Sequence, residues 1–290
     1  MSYTILTTPP RIVVEAARRL RHAQLKPRGF SPIGLFGPLD GNIVGGALLG
    51  VGMALSGACP GTVFPQIALN IESGWWALQG ALVGGAVWTG FLQPYVASRP
   101  KPALTESQKQ RVAIPGALGV SQPVAVAGFA GVMATGLAVA AAVTSPGPEA
   151  KIHPILGGVL IGAAQLFSLL ARKSLVGTSS SFEEAGSFFW GWVKGDKRPR
   201  STSSIVFCVG MVSGAWLAAA AFPQLAEPAR IQVSAASAFA GGALMTVGAR
   251  TAGGCTSGHG ISGMSLLSVS SVVTIASAFA TGAVFATSLY

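Results

Sequence analysis

The sequence predicts an all-α, polytopic integral membrane protein with internal repeats and broken helices that meet at a central pore. Half of its 290 residues are hydrophobic and only 10% are charged. A soluble globule of this size needs a larger charged surface, so the chain is expected to lie in a lipid bilayer. The third observation is a set of glycine-rich polar breaks inside apolar stretches. Lipid tolerates such breaks only where the backbone is buried in protein or lines a cavity, which is why they predict a pore.

Five apolar stretches have the length of about 20 residues that a helix needs to cross a bilayer. They cover residues 74–97, 125–143, 155–170, 205–222 and 267–289. Trp75 and Trp76 stand at one end of the first stretch and Tyr95 at the other, as expected for aromatic residues at membrane interfaces. We divide the chain into a basic N-terminal leader, residues 1–40, and one membrane domain, residues 41–290. The leader lacks a signal-peptide cleavage pattern and is interpreted as cytoplasmic rather than as a cleaved targeting peptide.

The first broken helix is predicted over residues 41–71. It starts with a glycine-rich run, GNIVGGALLGVGMAL, whose small residues allow neighbouring helices to approach closely. The run is interrupted by SGACPGT at residues 56–62, in which Pro60 suits the first position of a new helix. Residues 63–71 then form a short second half-helix. Cys59 is therefore expected to face other protein or a pore.

Two later segments, residues 155–190 and 236–265, repeat the order of a glycine-led helix followed by a polar break. In the earlier of the two, GTSSS at residues 177–181 stands where the thiol motif stood, without the cysteine. In the later one, GGALMTVGAR leads into TAGGCTSGHG, the densest run of glycines, hydroxyls and thiol in the chain. Three such segments predict internal repeats, which in transporters place the substrate at discontinuous helices near the middle of the membrane.

The net charge of +10 comes from short basic clusters between apolar stretches. They form no basic stripe with interleaved aromatic residues, so nucleic acid is not an expected partner. With about seven crossings, the N-terminus and the basic loops at 99–111 and 194–200 fall on one side, which the positive-inside rule makes cytoplasmic. We expect the plasma (inner) membrane to hold the chain. A re-entrant first break would move the 99–111 loop outside, and a further break between Ile114 and Val120 would change the number of crossings.

The breaks offer hydrogen-bond donors and almost no carboxylates, and this composition favours an anion as the ligand. Glycines let the backbone approach a ligand closely, and the N–H groups that start a following half-helix point at it. The candidate site residues in the breaks are Cys59, Gly61, Thr62, Thr178, Ser179, Cys255, Thr256, Ser257 and His259.

Arg250 is a further candidate because it adds a positive charge shortly before Cys255. Ionisable groups at membrane depth are costly and tend to be functional. Alternatively, the Arg250 side chain reaches the membrane interface or pairs with a backbone carbonyl. Glu183 and Glu184 interrupt the donor pattern, and they either cap the N-terminus of a half-helix or control the passage of cations.

The three cysteines, Cys59, Cys208 and Cys255, do not make a disulfide framework. A thiol is a weak donor and its sulfur is a polarisable acceptor, so a path of thiols suits a sulfur-containing anion better than a hard oxyanion. The structural alternative is that each cysteine is a small packing residue. That alternative is strongest for Cys208, which lies in a predicted helix with no break beside it.

His259 follows Cys255 closely, but Cys-x3-His supplies two ligands where a structural zinc site needs four. We therefore expect no metal. The sequence also lacks a phosphate-binding glycine loop, so we expect no cofactor. His259 instead caps a helix, hydrogen-bonds the loop or acts as a pH-sensitive gate. The sequence also has no paired acids and no Ser/His/Asp grouping, so an enzyme is not expected.

SGACPGT at residues 56–62 and GGCTSGHGISG at residues 253–263 resemble the paired signatures of the YeeE/YedE family of sulfur-transport membrane proteins. The second motif is long and specific, and the resemblance covers most of the chain from about Gly41 onward. It implies uptake of thiosulfate through an hourglass-shaped helical fold with central broken helices, the ion passing along cysteines by S–H contacts. By motif, Cys59 and Cys255 match the family's cysteines, and Cys208 is a candidate for a third.

The motif order departs from many bacterial relatives, which carry the two motifs on separate short chains or in another order. Such relatives often work beside a small sulfur-carrier protein, which makes that a candidate partner beside thiosulfate and the lipid bilayer. The prediction is a transporter or channel for thiosulfate or a related inorganic sulfur anion, with residues 41–290 as the transport domain. One alternative is a membrane thiol oxidoreductase or sulfurtransferase in which Cys59 and Cys255 react covalently. A pore for another small solute and a purely structural scaffold are the others.

Overall fold

A computed structural model describes residues 26–100, 105–143, 152, 154–196, 200–225 and 233–289. Within these ranges all of the regular structure is helical, apart from one isolated backbone bridge between Ala113 and Ser268. The all-helical prediction is therefore confirmed. Predictions for most of the basic leader and for part of the 194–200 loop fall outside the described residues.

Twelve α-helices lie in the described part of the chain. They are α1 (Asp40–Ser56), α2 (Val63–Ala68), α3 (Glu72–Val87), α4 (Gln93–Ser98), α5 (Glu106–Gln110), α6 (Ile114–Leu118), α7 (Gln122–Val143), α8 (Pro154–Arg172), α9 (Ser180–Val193), α10 (Ser203–Ala221), α11 (Ala235–Thr251) and α12 (Val269–Leu289). π-helical segments at Trp88–Leu92 and Ser257–Gly263 and a 3-10 turn at Pro223–Leu225 complete the set.

Four helices among the described residues are long and apolar enough to cross a membrane: α7, α8, α10 and α12. They correspond to four of the five predicted apolar stretches, and α7 and α10 bury almost none of their residues, as lipid-facing helices do. The remaining apolar stretch, residues 74–97, is divided into α3, the π-helical segment Trp88–Leu92 and α4. Pro94 lies at the start of α4, where its missing N–H is tolerated. The number of crossings stays a prediction.

Each of the three predicted breaks separates helical segments. After α1, Gly57 takes a left-handed φ of 62°, and α2 begins at Val63 rather than at Pro60, which lies in the intervening turn. After α8, Lys173 has a φ of 54° and α9 begins only at Ser180. After α11, Gly253 has a φ of 82°, and a π-helical segment follows. The repeat relationship between the segments stays a prediction.

The described residues group into two compact units. The first unit contains residues 26–29, 105–143, 152, 154–176 and 258–272, and the second contains residues 30–100, 177–196, 200–225, 233–257 and 273–289. In the first unit, the segments before α6 and α12 are joined by backbone hydrogen bonds from Ile114 N to Leu267 O, 2.8 Å, and from Val269 N to Val112 O, 3.0 Å. These bonds fix the chain that leads into α12.

The second unit is built around α11, which packs against both α1 and α3. Glycines make these approaches close. A methyl group on Gly52 of α1 would overlap the backbone of Met245, and one on Gly80 of α3 would overlap the carbonyl oxygen of Phe239. Such backbone contact between helices is typical of membrane proteins, in which small residues replace the hydrophobic effect as the basis of helix association. The small-residue runs in the sequence therefore serve packing.

A buried apolar cluster fills the second unit, and we call it the core cluster. Phe64 of α2 and Phe182 of α9 stack within it at 5.6 Å between ring centroids. Its members are Leu49, Met53, Ala58, Val63, Phe64, Ala77, Ala81, Phe182, Cys208, Met245, Ala249, Cys255 and Ala278. The cluster places residues from all of the helices of this unit that flank the breaks in one packed volume.

Replacing Gly80 by alanine is expected to destabilise the protein, because the added methyl group would overlap the Phe239 carbonyl oxygen and force α3 and α11 apart. Overpacking of this kind costs about 1–3 kcal/mol. Gly210→Ala on α10 is the matched control, since a methyl group at Gly210 meets no atom within 4 Å. Thermal unfolding in detergent measures both variants. An equal midpoint for Gly80→Ala and the wild type would contradict the packing described here.

Candidate functional site

Three side chains in the second unit form a buried cluster of hydroxyls and a thiol. The Cys255 Sγ lies 3.1 Å from the Ser257 Oγ and 3.5 Å from the Thr178 Oγ1, and the two hydroxyl oxygens are 3.3 Å apart. Thr178 and Cys255 have no exposed surface, and Ser257 is 8% exposed. We call these three residues the hydroxyl–thiol cluster. It joins the break before α9 to the break after α11.

Polar contacts fix the backbone just before Cys255. The Ala252 carbonyl accepts hydrogen bonds from the Ser31 Oγ at 2.9 Å and from the Asn42 Nδ2 at 3.1 Å. Gly253 then turns the chain with its positive φ of 82°, a conformation that glycine adopts without steric cost. The Gly254 N–H donates back to the Ala249 carbonyl at 2.8 Å. The cysteine is therefore held on a defined turn at the end of α11.

The loop that carries Cys59 lies against the hydroxyl–thiol cluster. A methyl group on Gly61 would lie 3.6 Å from the Thr178 Oγ1 and 3.8 Å from the Cys59 Sγ, which is ordinary van der Waals distance. Cys59 and Thr62 hold each other: the Cys59 N–H donates to the Thr62 Oγ1 at 2.7 Å, and the Thr62 N–H donates to the Cys59 Sγ at 3.4 Å. The CPG loop and the GGC turn are therefore neighbours through Gly61 and Thr178.

The hydroxyl–thiol cluster is also adjacent to the N-terminus of α9, a helix of 14 residues. Ser179 precedes the helix, and the Ser181 Oγ donates to the Thr178 carbonyl at 2.7 Å, which fixes Thr178 at the start of the helix. Backbone N–H groups in the first turn of a helix lack intrahelical acceptors and carry a partial positive charge. This position favours a negatively charged ligand.

The three hydroxyl and thiol groups can rotate their hydrogens. Each supplies one donor and also accepts, so together they satisfy one another, and they can equally turn their hydrogens toward an anion. The donors are weak to moderate in strength and uncharged. The arrangement is suited to holding an anion reversibly rather than tightly.

Cys208 lies on α10 and is 3% exposed. It belongs to the core cluster together with Cys255, and Cys59 packs against the same cluster. All three cysteines carry thiols in this structure, without disulfide bonds. The structure thus places the three thiols around one apolar core, and a role for Cys208 on a transport path stays a prediction.

The other predicted residues of the breaks fall in different surroundings. Ser179 and Thr256 are buried beside Thr178 and Cys255 in the sequence, and their participation stays a prediction. His259 belongs to the first unit, where it is 1% exposed and its Nδ1 lies 2.8 Å from the Ser271 Oγ. This bond ties the π-helical segment to the start of α12. The expected roles of His259 were capping a helix, bonding its loop or acting as a pH-sensitive gate; the partner found is a side chain in the first turn of α12.

Arg250 forms an ion pair with Glu183 of α9, and the two side chains are 16% and 23% exposed. The second carboxylate oxygen of Glu183 accepts from the Gln93 Nε2 at 3.0 Å. The sequence suggested an interface position or a carbonyl partner for Arg250, and a carboxylate partner was not considered. Glu184 has a separate task, since its carboxylate accepts from the Ser204 and Ile205 N–H groups and so caps the N-terminus of α10. The capping interpretation thus holds for Glu184, although the capped helix is α10.

Sequence reasoning missed two groups that shape these segments. In the first unit, the Gln165 Oε1 accepts from the Val176 N–H at 3.1 Å, and the Ser262 Oγ donates to the Val176 carbonyl at 2.5 Å, which fixes the chain just before Thr178. The Arg28 guanidinium lies beside Gly258, where a methyl group would be 3.2 Å from one of its nitrogens. The sequence analysis treated Arg28 only as one of the basic residues of the N-terminal leader. For the contacts to Val176, the signal in the sequence was a glutamine, Gln165, inside an otherwise apolar helix.

A helical protein with membrane-spanning helices and a buried hydroxyl–thiol cluster at helix breaks has the features of a transporter for a small solute. The model of one protein family, described as sulphur transport, matches residues 12–285. The chain belongs to this sulphur transport family, as the YeeE/YedE resemblance predicted, and it is an integral membrane protein.

Two relatives from Xylella fastidiosa, strains 9a5c and Temecula1, are each named a probable transporter. They are 30% and 31% identical to this chain over 124 residues. Each match covers 43% of this chain and 84% of the relative. A membrane transporter is therefore supported by the family and by these relatives, whose matched regions correspond to less than half of this chain.

Proposed function

We propose that the protein takes up thiosulfate or a related inorganic sulfur anion along a path on which the hydroxyl–thiol cluster is the main binding point. The observation that carries the proposal is the contact of the Cys255 thiol with two hydroxyls, all three residues being buried at the N-terminus of α9. Cys59 lies across Gly61 from this cluster and provides a neighbouring thiol.

The chemistry of the cluster favours a sulfur anion over sulfate. Hydroxyl and thiol hydrogens and first-turn N–H groups attract negative charge. The polarisable thiol sulfur makes a more favourable contact with the terminal sulfur of thiosulfate than with the oxygen atoms of a hard oxyanion such as sulfate. The nearby carboxylate of Glu183 does not oppose the anion with an uncompensated charge, because Arg250 pairs with it.

The proposal also includes the membrane that holds the protein, its orientation and a partner protein. We place the chain in the plasma (inner) membrane, and the distribution of Lys and Arg supports a cytoplasmic N-terminus. In that orientation uptake would deliver the anion to the cytoplasm. A small sulfur-carrier protein is proposed as a partner on the strength of the family resemblance alone.

Purified protein in liposomes is expected to take up radiolabelled thiosulfate, with little competition from an excess of sulfate. Thr178→Val keeps the shape of the side chain but removes the hydroxyl next to Cys255, and it should lower uptake. A hydrogen bond to a charged ligand contributes about 1.5–3 kcal/mol, which corresponds to a loss of roughly tenfold to a hundredfold. The initial rate of uptake measures this loss.

Thr287→Val is the matched control for Thr178→Val, because the Thr287 hydroxyl is exposed on α12 and bonds only the Val284 carbonyl of its own helix among the contacts described. It should transport at the wild-type rate. Uptake by the wild type no faster than by empty liposomes would refute the proposed function. Equal competition by sulfate and thiosulfate would refute the preference for sulfur.

A further inference from the structure

Among the described residues, two buried donors on α11 have no hydrogen-bond partner. They are the Arg250 Nε and the Thr246 Oγ1, and Thr246 has no exposed surface. The two residues are four positions apart on α11, so their side chains lie on the same face of the helix, one turn apart. A buried donor without an acceptor is costly, and two such donors on one helix face point to a ligand oxygen that completes the site.

An oxyanion fits these two donors. The guanidinium Nε–H and the threonine hydroxyl can each donate to an oxygen of the same small anion, and the arginine adds a full positive charge. The site differs from the hydroxyl–thiol cluster, which offers uncharged donors and a sulfur. Thiosulfate carries both kinds of terminal atom, three oxygens and one sulfur, so the two sites can engage it at different stages of its passage.

The carboxylate of Glu183 decides what happens when an anion binds at Arg250. While the two residues are paired, the charges of Arg250 and Glu183 offset each other. Thiosulfate carries two negative charges, so one guanidinium cannot neutralise both the anion and the Glu183 carboxylate, and a proton on the carboxyl group lowers the excess negative charge. The side chains of Arg250 and Glu183 keep 16% and 23% of their surface exposed, so neither is sealed inside the protein.

Other titratable groups on the elements packed against α9 do not replace Arg250 as the partner of Glu183. α9 packs against α3, the Trp88–Leu92 segment, α10 and α11. The acid of α3, Glu72, lies in its first turn, about 20 Å along the helix from Gly85, which contacts Phe182. The carboxylate of Glu184 caps α10, and Cys208 of α10 lies in the core cluster.

We propose that Arg250 and Thr246 form an oxyanion-binding site and that Glu183 takes up a proton when the anion binds there, so that sulfur-anion uptake is coupled to protons. The inference rests on the proposed function. The proton comes from water on the side where the anion enters, binds a carboxylate oxygen of Glu183 in place of the ion pair with Arg250, and leaves when the anion is released. Glu183 and Arg250 then pair again.

The test uses full-length protein in liposomes that contain a trapped pH-sensitive dye and have their membrane potential clamped with potassium and valinomycin. Thiosulfate is added outside at equal pH on both sides, and the influx of label and internal acidification are recorded together. The wild type should bring in about one proton per anion, because one carboxylate, that of Glu183, accepts it. In Glu183→Gln, which mimics the protonated carboxyl group, thiosulfate influx should carry no proton.

Glu184→Gln is the matched control, a neighbouring carboxylate that caps α10, and it should keep the wild-type ratio of protons to anions. Thr246→Val should raise the thiosulfate concentration that gives half-maximal uptake by about tenfold. If Glu183→Gln does not fold, the double variant Glu183→Gln/Arg250→Gln, which replaces both charges by amides, takes its place and should show slow influx without protons.

Wild-type influx without acidification would overturn the coupling while leaving the proposed function intact. A wild-type ratio in Glu183→Gln or in the double variant would do the same. Absence of thiosulfate influx in the wild type would instead refute the proposed function, and the inference with it. The two failures are therefore distinguishable in one experiment.

Discussion

Cys255→Ala is expected to abolish thiosulfate uptake without unfolding the protein. The substitution removes the thiol that lies 3.1 Å from the Ser257 Oγ and 3.5 Å from the Thr178 Oγ1 and so contacts both hydroxyls. Alanine fits the volume and leaves the hydroxyls able to bond each other at 3.3 Å, so the fold loses little. Uptake by proteoliposomes and thermal unfolding together measure the effect.

The serine variant separates two explanations of the loss. Cys255→Ser keeps a donor at the position but removes the polarisable sulfur, so it should retain part of the uptake and lose the preference for thiosulfate over sulfate. Ser213→Ala on α10 is the control, because the Ser213 hydroxyl is exposed and bonds the Val209 carbonyl of its own helix. Cys255→Ala that transports at the wild-type rate would remove Cys255 from the path.

Gly61→Leu is expected to block uptake by filling the space between Cys59 and Thr178. The first carbon of the new side chain fits at ordinary contact distance, 3.6 Å from the Thr178 Oγ1 and 3.8 Å from the Cys59 Sγ. The remaining atoms must then enter the space beside these groups. Because the residue has no positive φ, the backbone accepts a side chain without strain. Uptake should fall to the level of empty liposomes while the unfolding temperature changes little.

Gly61→Ala should show a smaller loss than Gly61→Leu, since its methyl group only reaches contact distance. Gly210→Leu is the matched control, a position on α10 with no atom within 4 Å of an added methyl group. Wild-type uptake by folded Gly61→Leu would show that the anion does not pass between the CPG loop and the GGC turn.

Much of the fold follows from composition and apolar length. Four helices correspond to predicted apolar stretches, because each contains about 20 mostly apolar residues. Apolar length is a local property of the sequence, so it can be read without knowledge of the packing. The division of residues 74–97 by a π-helical segment was not predictable, since WTGFL has no sequence signal for the change in hydrogen bonding. Pro60 was placed at a helix start because its fixed φ suits that position, but the same φ suits the turn in which it lies.

The candidate site was predictable where a motif marks it. Cys59 and Cys255 stand in glycine-rich breaks, and the structure brings their loops together through Gly61 and Thr178. The ion pair of Arg250 with Glu183 has no such signal, because it joins α11 to α9 and depends on how the two helices pack. For the same reason the sequence grouped His259 with Cys255, whereas His259 belongs to the first unit and bonds Ser271. Pairings between distant helices are properties of the packed structure.

The most direct test of the central claim is to locate the anion in crystals grown with thiosulfate, using X-rays near the sulfur absorption edge. The account predicts a pair of sulfur peaks from one thiosulfate ion in contact with the Cys255 Sγ and the Thr178 Oγ1, absent from crystals of Cys255→Ala. An empty hydroxyl–thiol cluster, with thiosulfate bound elsewhere in a preparation that transports it, would contradict the account.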